Sequence, residues 1–411
     1  MRQRASAAGR RISAISLLVA AAVFGICGAG GIASLSAASL TGKTDTFQTN
    51  IPNVILLDPE TGSVLFEKNA DQPVPPASLA KLMTLEYVFN QIKTGHLKLT
   101  DQFTISENAW RRGGAPSRGT TMFAPIHSQV SVGDLIHGII VDSANDACMA
   151  LAEGLAGNEA AFGALLTKRA REIGLTNSTF VNSTGYSDPN LHVTVRDMAE
   201  LARHIIRTYP EFYPYFAEHD FTWNKIHQPN RNTLLGMGIG ADGLMTGEPP
   251  QAGFNVVGSA TEDERRLIVV LAGAKSDKER SEEARKLFEW GFHSFQPRVL
   301  FAEGQTVGEA RVFGGANAYV PLVAPGTIRL MVPREGEEQP IARIVYLGPV
   351  PAPVHKGELI GTLKVWRGEN LALEVPLAAA EDVGRGSISR RAMDGVSELM
   401  ISLFRAGFKR L

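Results

Sequence analysis

Ser78 and Lys81, in the run Pro75-Pro76-Ala77-Ser78-Leu79-Ala80-Lys81-Leu82-Met83-Thr84, place a hydroxyl and an amine three residues apart. If Ser78 opens a helix, Lys81 lies one turn on and projects from the same face. The two groups can then share a proton. Serine needs a base to act as a nucleophile at neutral pH, and a lysine stripped of water can lose its charge and serve as one. A helix N-terminus also aims backbone N–H groups at the place where an oxyanion forms. Alone the spacing is weak, because residue frequencies give roughly one or two chance Ser-x-x-Lys matches in a chain of this length.

Two later segments, in order, give it weight: Ser143-Ala144-Asn145 and Met245-Thr246-Gly247. Singly, Ser143, Asn145 and Thr246 are ordinary helix caps or turn formers. The nine histidines are scattered and no His-Glu-x-x-His spacing occurs, so neither a metal nor another cofactor is expected. The net charge of −1 gives no reason to expect a nucleic-acid partner.

The elements that must position these residues follow from periodicity. Val54–Leu57, the turn Asp58-Pro59-Glu60-Thr61-Gly62 and Ser63–Glu67 predict a β-hairpin. The Ser78 helix buries Leu79, Leu82, Met83, Phe89 and Ile92. A helix over Ser131–Val141, with Ser131 and Asp134 resembling a capping box, precedes a third that follows Asp142-Ser143-Ala144-Asn145 and runs to about Ala156. Helical patterns continue through Phe162–Ile173 and Val195–Arg207. Three strands follow, Leu244–Gly247, Phe254–Ala260 and Arg266–Gly273, then a helix capped by Ser276 and Glu279 with Leu287 and Trp290 facing inward. Strands at both ends and helices between them predict an α+β domain with one antiparallel sheet covered by helices.

The ends of the chain differ from this middle. Arg2, Arg4, Arg10 and Arg11 precede an apolar run from Ile15 to Ile26, glycines break it, and Ser36-Ala37-Ala38 offers small residues for cleavage. Residues 1–38 therefore read as a secretory signal peptide, favoured over an uncleaved anchor because the run is short for a span. Its loss removes four of the 41 basic residues and no acid, leaving 37 against 42 and a net charge of −5. Cys27 leaves with it and Cys148 has no partner, so the exported fold is expected to stand without disulfides, Cys148 filling core. Residues 39–295 form the expected catalytic domain. From Gln296 to about 384, short β-type runs alternate with turns, the pattern of a small β-sandwich-like domain without chemistry of its own. Residues 385–411 repeat apolar residues at helical spacing among basic ones; from Arg385 on, six basic residues oppose two acids, a net +4. Such a helix is expected to lie in an anionic membrane interface without crossing it, rather than dock on its own domain.

Taken together, the three segments resemble the Ser-x-x-Lys, Ser-x-Asn and Lys-Thr-Gly motifs of penicillin-binding proteins and serine β-lactamases. The match widens over Pro76–Thr84, Ser143–Cys148, Asn230-Arg231-Asn232, Trp290-Gly291-Phe292, Gly361-Thr362-Leu363 and Ala379-Ala380-Glu381-Asp382-Val383 to the low-molecular-mass D-alanyl-D-alanine carboxypeptidases. That resemblance implies a transpeptidase-like fold and no cofactor. Its substrates would be peptidoglycan stem peptides and its inhibitors β-lactams, at the periplasmic face of the cytoplasmic membrane. It implies Ser78 as nucleophile, Lys81 as base, Ser143 as proton relay to the leaving D-alanine, and Asn145 as holder of the substrate amide and of Lys81. Met245-Thr246-Gly247 would align the peptide, with Thr246 on the terminal carboxylate, the N–H groups of Ser78 and Glu248 as oxyanion hole, and Arg280 near the carboxylate-binding end.

One position departs from the pattern. Met245 stands where the family has lysine, and Glu248-Pro249-Pro250 follows where a histidine and polar residues are common. Loss of a charge-assisted hydrogen bond costs about 1.5–3 kcal/mol, roughly ten- to a hundred-fold in efficiency. The departure raises alternatives: a weakened peptidoglycan-binding relative, or a D,D-endopeptidase whose substrate lacks a free carboxylate there. A β-lactamase is disfavoured by the appended β domain and tail.

Overall fold

A computed structural model of the chain describes residues 13–15, 47–249, 252–335 and 340–396. They divide into two compact units, one of Thr46–Glu60 with Val64–Phe295, the other containing Gln296 onward.

The first unit is built on a five-stranded sheet. The hairpin forms as the sequence predicts, β1 at Asn53–Asp58 and β2 at Ser63–Lys68. The other strands are β3 at Ala241–Gly247, β4 at Phe254–Glu262 and β5 at Arg265–Ala274. Their order is β2-β1-β5-β4-β3, with β1/β5, β5/β4 and β4/β3 antiparallel. Every residue of β1 is buried, because both faces of the sheet are covered. Ile55 and Leu57 join the main core, while Leu56 packs against the helix Asp277–Ser294 so closely that a Cβ at Gly291 would come within 2.7 Å of it.

The longer helices between these strands are α1 at Lys81–Lys93, α2 at Val132–Val141, α3 at Asn145–Ala156, α4 at Glu159–Glu172 and α5 at Val195–Thr208, with a short one at Glu107–Arg112 after α1. Ser131 caps α2 reciprocally: its hydroxyl accepts from the Asp134 N–H at 3.1 Å and donates to the Asp134 carboxylate at 2.7 Å. Ser276 caps the last helix through the Glu279 N–H. Leu287 is buried there, and Trp290 is half-buried in a cluster of rings from Phe47, Phe66 and Phe295. Cys148 is a free, buried thiol within α3.

The second unit is all β through Ala379. One sheet runs in the order Ile341–Tyr346, Leu359–Arg367, Asn370–Ala379, Tyr319–Val323, Gly308–Phe313, Val350–Pro351, and Phe295–Phe301 pairs separately with Ile328–Pro333. Its own core gathers Val312, Val320, Leu322, Leu330, Val365 and Leu377. Ser13–Ile15 pair antiparallel with Ile341–Tyr346, an apolar strand laid on an open sheet edge; the rest of the expected signal segment lies outside the described residues. The tail begins as helix at 388–396, and 397–411 lie outside the described residues.

Candidate active site

The turn that carries Ser78 is a short 3-10 helix, Ala77–Ala80, that runs into α1. This geometry puts Ser78 Oγ and Lys81 Nζ 2.8 Å apart, the spacing expected for one turn. Lys81 is 1% exposed, and Nζ also donates to the Thr184 carbonyl at 2.9 Å. Burial lowers the Lys81 pKa to about 8; the nearby Arg231 guanidinium adds to the lowering and the Cys148 thiol opposes it. A lysine in this state is a base near neutral pH, and its hydrogen bond to Thr184 fixes its direction. The Cys148 thiol is pushed up to about 12, chiefly by burial, so it stays protonated and inert.

Ser143 and Asn145 sit at the entry to α3. Ser143 is held at φ +54°, a left-handed conformation costly for a residue with a Cβ, and its carbonyl is fixed by the Thr120 hydroxyl at 2.6 Å. The Asn145 N–H donates to the Thr120 carbonyl at 2.9 Å and its Nδ2 reaches Thr120 Oγ1 at 3.3 Å. Ser143 Oγ, Asn145 Oδ1, Asp142 Oδ1 and Asn232 Nδ2 are buried without a hydrogen-bond partner among the described residues. Four such atoms on adjoining segments are what a polar ligand would satisfy.

Met245, Thr246 and Gly247 end β3 beside the turn that carries Ser78. A Cβ at Gly247 would lie 2.7 Å from the Pro76 carbonyl and 3.3 Å from the Leu79 nitrogen, so only glycine lets the strand approach this closely. Met245 is 2% exposed and part of the apolar core, while Thr246 is partly open and Glu248 exposed. Arg280 is buried, ion-paired to Asp277, 3.4 Å from the Asn255 carbonyl and stacked over Phe254. Burial lowers its pKa, with Asp277 and Glu248 opposing the shift. Its charge is therefore largely engaged by neighbouring acids.

Arg231, in the segment Asn230-Arg231-Asn232, has no role assigned from the sequence. Arg231 is exposed, donates through Nε to the Asp142 carbonyl at 2.9 Å, and its own carbonyl lies at 3.5 Å from Thr246 Oγ1. Asp142 is raised to about 7, first by burial, with Asp146 adding and Arg231 opposing. The only advance signal for Arg231 was its place in Asn230-Arg231-Asn232. Among the described residues no group of His, Cys, Asp or Glu could hold a metal ion, and no helix is long and apolar enough to cross a membrane.

A serine beside a buried lysine base, on a helix-covered antiparallel sheet, defines a serine acyl-transfer enzyme of the penicillin-binding-protein fold. Comparisons agree. The family model described as D-alanyl-D-alanine carboxypeptidase matches residues 41–276, and that of the penicillin-binding protein 5 C-terminal domain matches 295–385. The chain is 39% identical over 345 residues to D-alanyl-D-alanine carboxypeptidase DacC of Escherichia coli, covering 83% of this chain and 86% of that one. It is 37% identical over 381 residues to DacA of Haemophilus influenzae, covering 90% and 96%. The solved structure of penicillin binding protein 5 from Haemophilus influenzae superposes with a TM-score of 0.69 at 38% identity, covering 82% of this chain and 98% of that one. The chain belongs to the D-alanyl-D-alanine carboxypeptidase family, and is a serine hydrolase of that kind.

Proposed function

We propose that the chain removes the terminal D-alanine of peptidoglycan stem pentapeptides through an ester on Ser78. The observation that carries this reading is the Ser78–Lys81 pair: a hydroxyl 2.8 Å from a buried amine whose pKa is brought to about 8. Lys81 Nζ takes the Ser78 proton as Oγ bonds to the carbonyl carbon between the two D-alanines. The Ser78 and Glu248 N–H groups receive the oxyanion. On collapse the C–N bond breaks, and the departing amine takes a proton relayed through Ser143. Water then cleaves the ester with Lys81 again as base. Asn145, whose Oδ1 is unpartnered, holds the substrate amide; the expected bond from Asn145 to Lys81 is absent among the described residues, and Thr184 orients Lys81 instead. Met245-Thr246-Gly247 align the peptide by backbone pairing. Thr246 meets the terminal carboxylate. Arg231, whose backbone carbonyl adjoins Thr246, brings a positive charge to that end of the site, and Arg280, ion-paired to Asp277, stands further off.

Penicillin would acylate Ser78 by the same attack, as the name of the matched Haemophilus structure suggests. Residues 1–38 would direct export to the periplasm, 39–295 would form the catalytic domain and 296–384 a spacer. The helix from 385 would hold the enzyme peripherally at the periplasmic face of the cytoplasmic membrane, in cell-wall and cell-shape maintenance. Ile388, Met393 and Val396 support the last point, being 84%, 73% and 60% exposed on its described part.

Mass spectrometry of penicillin-treated protein tests the assignment. One adduct is expected on the peptide containing Ser78, with none in Ser78→Ala, and D-alanine release from a pentapeptide should vanish in the same variant. Unchanged labelling of Ser78→Ala would sink it.

A further inference from the structure

Glu159, Gly163 and Thr167 follow one another at four-residue spacing on α4, so they share one face of that helix. Each of them meets the segment 180–183 that leads to Thr184. The Thr167 hydroxyl accepts from the Phe180 N–H at 2.8 Å and donates to the Phe180 carbonyl at 2.7 Å. A Cβ at Gly163 would overlap the Val181 carbonyl, so only glycine admits this approach. The Glu159 carboxylate takes both donors of Ser183, the backbone N–H at 2.9 Å and the hydroxyl at 2.7 Å. The start of α4 does not need that carboxylate, because Asn158 Oδ1 already accepts from the Ala161 N–H at 2.8 Å.

What Ser183 does is passed to the lysine. Its carbonyl accepts from the Thr84 hydroxyl of α1 at 2.8 Å, and the next carbonyl along, that of Thr184, accepts from Lys81 Nζ. Asn182 Oδ1 accepts from the Gly185 N–H at 2.7 Å and closes the loop behind them. Ser183 is 0% exposed and Thr184 2%, so this short backbone link is also the lid that keeps water from Nζ. Hydrogen bonds to an ionised carboxylate are stronger than neutral ones, which makes Glu159 the firmest tether on the segment.

We infer that Glu159 is a positioning residue for the Lys81 base: its carboxylate holds Ser183 so that the Thr184 carbonyl stays on Nζ and water stays out. The inference rests on the reading of Lys81 as base and adds a residue that reading does not contain.

The test follows penicillin acylation of Ser78 in the full chain by mass spectrometry between pH 6 and 10. Rates are taken per site that accepts penicillin, so misfolded protein does not count. Glu159→Ala should slow acylation at pH 7 about ten-fold or more, the scale of a lost charge-assisted bond. It should also move the inflection from about 8 toward the ordinary lysine value, because water reaches Nζ as the loop loosens. Loss of a negative charge alone would move the inflection the other way, so the sign separates holding from charge. Cys148 and Arg231, the other ionisable groups that act on Lys81, are left in place. Glu159→Gln keeps an acceptor for the Ser183 N–H and should return the inflection to near 8 with a rate within a few-fold of the unsubstituted protein. Glu159→Asp, one methylene short of Ser183, should behave like the alanine variant and replaces it if that variant does not fold. An inflection that stays near 8 in the shortened variant, whatever its rate, would overturn the inference and leave the Lys81 reading standing. So would a glutamine variant no better than the shortened one. No adduct in the unsubstituted protein would overturn that reading and the inference with it.

Discussion

Gly185 lies directly over Ala77, at φ +83°, and a Cβ there would overlap the Ala77 carbonyl oxygen and come within 3.2 Å of the Ser78 nitrogen. Ala77 itself is at φ +46°. The loop that carries the Thr184 carbonyl to Lys81 is thus pressed against the turn that carries Ser78. Gly185→Ala is expected to push the two apart, at a backbone cost of about 1–2 kcal/mol for the left-handed alanine. Penicillin acylation should slow at least ten-fold while the protein still folds with a lowered Tm. Wild-type acylation kinetics in this variant would mean that the close approach does not position the nucleophile.

The buried lysine predicts a pH profile. Lys81 is a base only when neutral, so acylation by penicillin should rise with pH and level off above about 8. The stability sign is independent of catalysis. Between about 8 and the ordinary lysine value of 10.5 the unfolded chain binds a proton at this lysine that the folded chain does not, so this group makes stability rise with pH across that window. Lys81→Ala should lose the inflection and about a hundred- to ten-thousand-fold in rate. A flat acylation profile from pH 6 to 10 in the unsubstituted protein would contradict the role of Lys81.

Arg231 connects two of these effects. It adjoins Thr246 and also contributes to the lowering of the Lys81 pKa. Arg231→Gln should therefore raise KM for a free-acid peptide and move the acylation inflection to higher pH. A KM change without the pH shift would place Arg231 on the substrate alone.

What was legible in the sequence was local. The hairpin, the Ser131 and Ser276 caps and the Ser78–Lys81 spacing depend on neighbours a few residues apart, and the structure has them as read. Contacts between distant segments were not legible. The Lys81–Thr184 hydrogen bond spans 103 residues and Arg231–Asp142 spans 89, so no periodicity announces them. Arg280 was recognisable as a cation, but its pairing with Asp277 shows only in the fold. The third motif was readable as a strand, whereas the reason for its glycine, contact with Pro76 and Leu79, comes from packing.

The tail offers a separate test of placement. Truncation after Val383 removes the exposed Ile388, Met393 and Val396 with the basic residues that follow. The truncated protein should keep its D-alanine release and stop sedimenting with anionic vesicles, since interfacial binding needs both apolar burial and charge. Sedimentation equal to that of the full chain would show that the anchor lies elsewhere.

Met245 sets the most demanding test. Met245, which the resemblance sets at the lysine of the third motif, is an apolar side chain, 2% exposed in the core, with Glu248 three residues on and Arg280 tied to Asp277. Arg231 adjoins Thr246 through its backbone carbonyl, while its guanidinium is on the Asp142 carbonyl. Met245→Lys adds a second positive charge at a site where water is largely excluded, so the charge should be felt strongly by a carboxylate that enters. The free protein would lose stability, because the new ammonium is buried. Its kcat/KM for a D-Ala-D-Ala peptide should nevertheless rise about ten-fold, the scale of one charge-assisted contact, and penicillin acylation should quicken with it. A peptide with its terminal carboxylate amidated should gain little, which separates carboxylate recognition from an effect on Lys81. If the free-acid peptide is cleaved no faster than by the unsubstituted protein, methionine is not a missing contact, and the groove has been rebuilt so that Arg231 and Thr246 hold the carboxylate without it.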